Sequence, residues 1–394
     1  MIRKYARKLV SAGYAEAGDP LLGFLDADLV WNREDAAVPV LEEVFAGLNI
    51  QSLLFSRPAE PYRTVIDHLA GNAEGAIFPQ DTETRTFFHD LPVVPAFRAG
   101  DLAAALKERK CVIIPGRGIV TFGTVSPEQA FVTFCSVCFA AFVKFFADFL
   151  GDFRKGRLDA AQREAFRRAV AHLNVRAPLP ALREGPFQTE EEILAAMAEA
   201  GRATVENRLV DSYFGNLSCL GGKFLYISQT GSSLDELEGC IDAVPLDGSS
   251  CAGITASSEL SAHRQIVLYT GKHVVLHGHP RFSVILSLDC EREDCPERGS
   301  CHTRCPEERF AGGAPIVPGE VGTGRYGLCR TVPPVLQEHP GVIVHGHGVF
   351  TAGREDFRGA FERLSAIENA CREEYFRRVE QGAWKMLADG IDEP

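Results

Sequence analysis

The chain of 394 residues has no apolar stretch of about 18 residues free of charge, the length a membrane-spanning helix requires. It has no basic excess either. Against 53 Asp and Glu stand 41 Lys and Arg, a formal charge of −12, which argues against nucleic acid or an anionic membrane as the main partner. The opening Met1-Ile2-Arg3-Lys4-Tyr5-Ala6-Arg7-Lys8 is basic, but Ala-, Gly- and acid-rich sequence follows where a secretion signal would place its apolar core. A cytoplasmic protein is expected. In that reducing compartment the 12 cysteines serve metal binding, redox work or packing. The length exceeds one ordinary core, so two domains are expected.

What the chain does have is a convergence of metal-ligand residue types in its second half. Leu276-His277-Gly278-His279-Pro280 follows the strand-like run Val274-Val275. Side chains alternate along a strand, so both imidazoles point to one face. A second strand-like run, Val342-Ile343-Val344, leads to Gly346-His347-Gly348, and Ser257-Ser258-Glu259 adds a carboxylate. Three neutral imidazoles with an open position form the ligand set of a catalytic zinc, and Glu259 beside them could move a proton. A lone His-x-His among 11 histidines is more often no ligand pair, so the surrounding segments decide.

Those segments resemble the class II aldolase/adducin family over about Thr189 to Gln381. Gly215-Asn216-Leu217-Ser218 is similar to its Gly-Asn-x-Ser turn, and Thr230-Gly231 after Phe224–Ser228 to its Thr-Gly turn. Ser257-Ser258-Glu259, His277-Gly278-His279-Pro280 and Gly346-His347-Gly348 with Thr351 and Gly353 complete the pattern in order. The resemblance implies an α/β fold: a three-layer α/β/α domain with a mostly antiparallel central sheet. It implies a divalent metal, Zn2+ by ligand type, on His277, His279 and His347, with Glu259 as base. Asn216, Thr230, Ser257 and Ser258 would grip a substrate phosphate, at turns that Gly215 and Gly231 open for close backbone approach. Family members take a proton-donor tyrosine from a neighbouring subunit. Tyr326 is the candidate here, and a homo-oligomer is expected.

The first half repeats the second with the chemistry removed. Ile113–Phe131 matches Ile343–Phe361 without a gap at an offset of 230, and Phe55-Ser56-Arg57-Pro58 stands where His-x-His-Pro would be. Phe55, Arg57 and Arg117 thus replace the ligands, and a guanidinium, always protonated, cannot bind zinc. Counting back from Phe55 as Glu259 precedes His277 lands on Ala37. Two tandem copies are expected: a degenerate domain over 1–150, a helical and Pro-rich linker over 151–188, and the metal-binding domain over 189–394. The first copy could be structural, or Arg57 and Arg117 could bind an anion. The helix after Ser126-Pro127 carries seven phenylalanines from Phe131 to Phe149. Being apolar nearly all round, it needs a covering layer, such as the other domain or another subunit. Cys135 and Cys138 on it read as core packing.

An insertion over 290–305 carries Cys290, Cys295, Cys301 and Cys305 among charged residues. Thiolates in such numbers fit a second zinc or an iron–sulfur cluster, with free surface thiols the alternative. The resulting expectation is a metal-dependent aldolase-type lyase on a phosphorylated sugar or sugar acid, working through a metal-stabilised enediolate. An epimerase or dehydratase would use the same site, and an adducin-like binding module the same fold.

Overall fold

The computed structural model describes residues 1–173, 178–210, 213–249, 254–292 and 294–389. Its contacts divide the chain into two compact units, Met1–Val175 and Arg176–Pro394. The first unit contains β1 (Leu21–Leu25), β2 (Leu29–Trp31), β3 (Ser52–Ser56), β4 (Ala76–Ile77), β5 (Leu91–Pro92), β6 (Cys111–Ile114) and β7 (Gly118–Gly123). β4 and β5 form a small ladder of their own, and the others form an antiparallel sheet in the order β2-β1-β3-β7-β6.

The second unit contains β8 (Asn216–Gly221), β9 (Phe224–Ser228), β10 (Ile241–Pro245), β11 (Val274–Gly278), β12 (Arg309–Ala311), β13 (Ala314–Val317), β14 (Gly341–Val344) and β15 (Gly348–Gly353). They form one sheet, β10-β9-β8-β11-β15-β14-β13-β12, in which only β13 and β14 run parallel. The mostly antiparallel α/β/α arrangement is therefore present. Alternation along the strands separates its layers. Val275, Val342, Val344, Phe350 and Ala352 pack against Ala262, Ile266, Leu328 and Val332, on the helices Leu260–Thr270 and Leu328–Glu338. Thr351 faces the other way and donates its hydroxyl to Ala360 O at 2.9 Å, on the helix Phe357–Asp389. The helices Glu190–Glu206 and Arg281–Leu288 pack with that helix.

The first unit has its own apolar face and helix contacts. Leu53, Val112, Val120 and Phe122 pack against Leu41, Val44 and Leu102 of the helices Val38–Ala46 and Ala99–Glu108. Thr121 donates to Ala130 O at 2.8 Å, on the helix Pro127–Arg154. Registers match as well. Phe55 pairs with Leu21 and Val120, and His277 pairs with Asn216 and Phe350.

Two expectations need correction. The helix Pro127–Arg154 has 28 residues and is apolar enough, by length and composition alone, to cross a membrane, yet 83% of its most apolar window is buried within the protein. Its own unit supplies aromatic partners along its length. Tyr5, Tyr62, His68 and Phe166 meet Phe131, Phe142, Phe145 and Phe149, the last pair stacked at 3.7 Å between centroids. Each buried Phe contributes roughly 1.5–3 kcal/mol. Phe166 also shows why the expected linker over 151–188 does not stand as a unit. It belongs to the helix Ala160–Ala171, whose charged outer face conceals an apolar side made of Phe166, Ala165 and Ala169. Residues 151–173 pack within the first unit.

Candidate metal centre

β11 delivers His277 at its end, and His279 two residues later returns to the same side. His347 comes from the tight turn between β14 and β15, which Gly346 makes with φ +64°. The three ligand nitrogens lie within 4.8 Å of one another, and all three residues are buried. Contact of the strands here requires glycine. A Cβ on Gly215 would come within 2.5 Å of His277 O, and one on Gly348 within 2.8 Å of His277 Cε1.

His277 Nδ1 lies 3.0 Å from Val349 O, so this N–H donates to the carbonyl and Nε2 turns a lone pair inward. That Nε2 is 2.9 Å from His279 Nε2 and 3.4 Å from Glu259 Oε2. His347 Nε2 is 2.9 Å from Glu259 Oε1. Imidazole nitrogens so close repel unless a proton or cation lies among them, and three neutral imidazoles are what a divalent cation accepts. Burial keeps two of them neutral: it pushes His277 down to about 4 and His279 well below the ordinary histidine range. The donor set fits the metal.

Glu259 occupies the N-cap position of the helix Leu260–Thr270 but makes no side-chain cap bond. Its carboxylate instead faces the histidines, with Oε2 accepting from Asn216 Nδ2 at 2.8 Å. Burial raises its pKa, but His277, His347 and the Asn216 amide together outweigh that and hold it well below the usual carboxylate range. It is a buried, ionised carboxylate.

The expected phosphate donors assemble in part. Thr230 N donates to Thr255 O, and its hydroxyl to Ala256 O at 2.9 Å, which seats the Thr230-Gly231 turn against Ala256-Ser257-Ser258. Gly231 takes φ +71°. The Ser257 hydroxyl accepts from Glu259 N at 3.3 Å, while Ser258 is exposed. Asn216 gives one of its two amide N–H donors to Glu259. Tyr326 lies on the loop before Leu328, its ring 5.6 Å from the Arg325 guanidinium, and among the described residues it makes no hydrogen bond to the histidines or Glu259.

The cysteine insertion is a correction. Cys290, Cys295, Cys301 and Cys305 are free, half-buried thiols. Among the described residues the three histidines are the only group of three or more His, Cys, Asp or Glu side chains whose ligand atoms converge. Turns spread the four sulfurs, and Cys301 Sγ meets Glu297 O at 3.8 Å instead.

Sequence reasoning missed His263. It is fully buried, with Nδ1 2.7 Å from Ser218 Oγ, and it sits below Glu259 and beside Phe350. Its spacing of four from Glu259 on one helix was the available signal.

Residues 195–375 match the family described as Class II Aldolase and Adducin N-terminal domain, and the second unit belongs to that family. Solved structures similar to the chain include L-fuculose-1-phosphate aldolase from Thermus thermophilus, 25% identical over 48% of this chain and 96% of that one, with a TM-score of 0.40. A sugar-phosphate aldolase from Thermotoga maritima is 18% identical over 49% and 97%, with a TM-score of 0.36. L-fuculose 1-phosphate aldolase from Glaciozyma antarctica is 15% identical over 49% and 78%, also at 0.36. No curated protein matches the chain.

Proposed function

We propose that the second unit is a divalent-metal-dependent lyase of the aldolase type, acting on a phosphorylated sugar or sugar acid. The observation that carries this reading is the placement of Glu259. A helix N-cap carboxylate ordinarily bonds the first N–H groups; this one turns both oxygens to the imidazoles. His277, His279 and His347 would hold the cation, zinc by ligand type. When bound, such a cation polarises a carbonyl as a Lewis acid.

Glu259 then takes or returns a proton at the carbon next to that carbonyl. Asn216 fixes one of its oxygens, which selects the other for the transfer. Ser258 and the Gly231 turn offer hydroxyl and N–H donors to the phosphate, and Thr230 seats that turn through its own two bonds. Tyr326, which has no role inside its own chain's site, would donate across a subunit interface of a homo-oligomer.

Glu259→Gln tests this. The variant should keep its metal and bind a ketose phosphate, yet exchange deuterium at the carbon beside the carbonyl about 10²–10⁴-fold more slowly. Wild-type exchange would leave a metal-binding module without a base.

We infer in addition that the first unit is a degenerate copy of the second. Support comes from the ungapped offset, the shared strand order and registers, and the base position. Ala37 is the N-cap of the helix Val38–Ala46, as Glu259 is of Leu260–Thr270.

A further inference from the structure

The first unit contains a cleft of about 400 Å³ at the exit of β3, a size suited to a small metabolite. Arg57, Arg63, Thr64 and Asp67 line one side, and Glu164 and Arg168 of the helix Ala160–Ala171 line the other. Arg57 stands two residues after Phe55, as His279 stands two after His277.

The two carboxylates lining the cleft are already engaged. Asp67 Oδ1 accepts from Gly116 N at 2.9 Å, and Glu164 takes Arg167 through two bonds of 2.7 and 2.9 Å. The three arginines are paired only loosely with carboxylates, although Arg63 Nε also donates to Pro58 O at 3.2 Å. Arg57 is 3.6 Å from Asp67, Arg63 3.4 Å from Glu16 and Arg168 3.8 Å from Glu60. A well-made guanidinium–carboxylate bond is about 2.7–2.9 Å, so each keeps donors for another anion. An independent observation comes from Thr64. It is buried, and its hydroxyl has no hydrogen-bond partner. A hydroxyl in that state is costly unless something in the cleft supplies the bond.

We propose that this cleft binds the anionic group, phosphate or carboxylate, of a small metabolite, with Arg57, Arg63 and Arg168 as cations and Thr64 as hydroxyl donor. Arg117, the other arginine singled out in the sequence, takes no part. Its guanidinium lies 4.2 Å over the Phe97 ring.

Calorimetric titration of the full chain with inorganic phosphate and, separately, with gluconate tests the proposal. Arg57 and Arg168 are half-exposed, so Arg57→Ala/Arg168→Ala should fold with an unchanged Tm. It should lose one binding event, or weaken it roughly tenfold or more. Loss confined to phosphate identifies a phosphoryl group, and loss confined to gluconate a carboxylate. Thr64→Val supplies a second readout. Removing an unsatisfied buried hydroxyl should raise Tm while weakening the same event. Titrations that the double variant leaves unchanged, including no binding by the wild type, overturn the proposal. So does a Thr64→Val protein that is more stable and binds as before.

Discussion

The five-stranded sheet of the first unit and the eight-stranded sheet of the second place different chemistry beside their central strands. In the second, the positions beside the central strand pair carry His277, His279 and His347, and Glu259 closes on them from a helix N-terminus. In the first, the matching positions carry Phe55, Arg57 and Arg117. Phe55 packs on Phe97 at 4.8 Å between centroids, and Arg117 lies over the same ring. An aromatic–cation stack thus fills the place of two ligands. The sheet order, registers and threonine–helix bond survive that exchange. The difference teaches that the scaffold's stability lies in strand pairing and the two apolar faces, and the metal centre is an addition to it.

The largest expected effect separates the units by metal content. Purified wild-type protein should hold one divalent ion per chain, and His277→Ala none, with turnover abolished. Arg57→Ala should leave both untouched. Elemental analysis of the three proteins decides this, and a His277→Ala protein that retains a full equivalent sinks the three-histidine site.

Acid should weaken the second unit selectively. Burial pushes His263 down to about 3 and His277 to about 4, from an ordinary 6.5. Between those values and 6.5 the unfolded chain binds protons that the folded chain refuses. The stability these residues provide is therefore complete above pH 6.5 and is lost as pH falls towards 4. The slope is roughly 1.4 kcal/mol per pH unit for each histidine. Denaturant melts of metal-free protein at pH 7 and pH 5 measure it. In the first unit burial lowers His68, which is only partly buried, so its transition should move less. Equal shifts in the two units would remove the argument.

A matched glycine pair gives a smaller effect with a sharper contrast. A Cβ at Gly348 would strike Gly278 O and His277 Cε1, and one at Gly118 would lie 2.5 Å from Ser56 O. Gly348→Ala and Gly118→Ala should each cost about 1–3 kcal/mol as overpacking. Only the first should weaken metal affinity, because only there does a ligand ring have to move. Zinc titration against a chelator reads the difference.

The convergence of the histidines was legible because strand alternation puts His277 and His279 on one face, whatever surrounds them. The helix-start positions of Glu259 and Ala37 were legible from their spacing to the strands that follow. The bond of Asn216 to Glu259 was not, because it joins residues 43 positions apart, one on β8 and one at the start of the helix Leu260–Thr270. The same holds for the arginine cleft, where Arg168 meets a wall built from residues more than a hundred positions earlier. The cysteine cluster shows the opposite failure. Closeness in sequence suggested a shared ligand, but turns of four, five and three intervening residues do not aim the sulfurs at one point. The aromatic partners of the phenylalanine-rich helix were missed because Phe166 sits in a stretch whose charge hides its one apolar face.

The smallest expected effect probes the sameness of the scaffolds. Thr121 and Thr351 are both buried, and each donates to a helix carbonyl, at 2.8 Å to Ala130 O and at 2.9 Å to Ala360 O. Thr→Val keeps the shape and removes the bond, at a net cost of about 0.5–1.5 kcal/mol. Thr351 also lies 3.3 Å from Leu276 O, a long contact that adds little. If the two units are copies of one scaffold, Thr121→Val and Thr351→Val should destabilise their own units by similar amounts and leave metal content unchanged. Urea unfolding, followed by hydrogen exchange to assign each transition to a unit, gives the two costs. A cost confined to Thr351 would mean that the first sheet only imitates the second in outline, with its helix held by the phenylalanine packing alone.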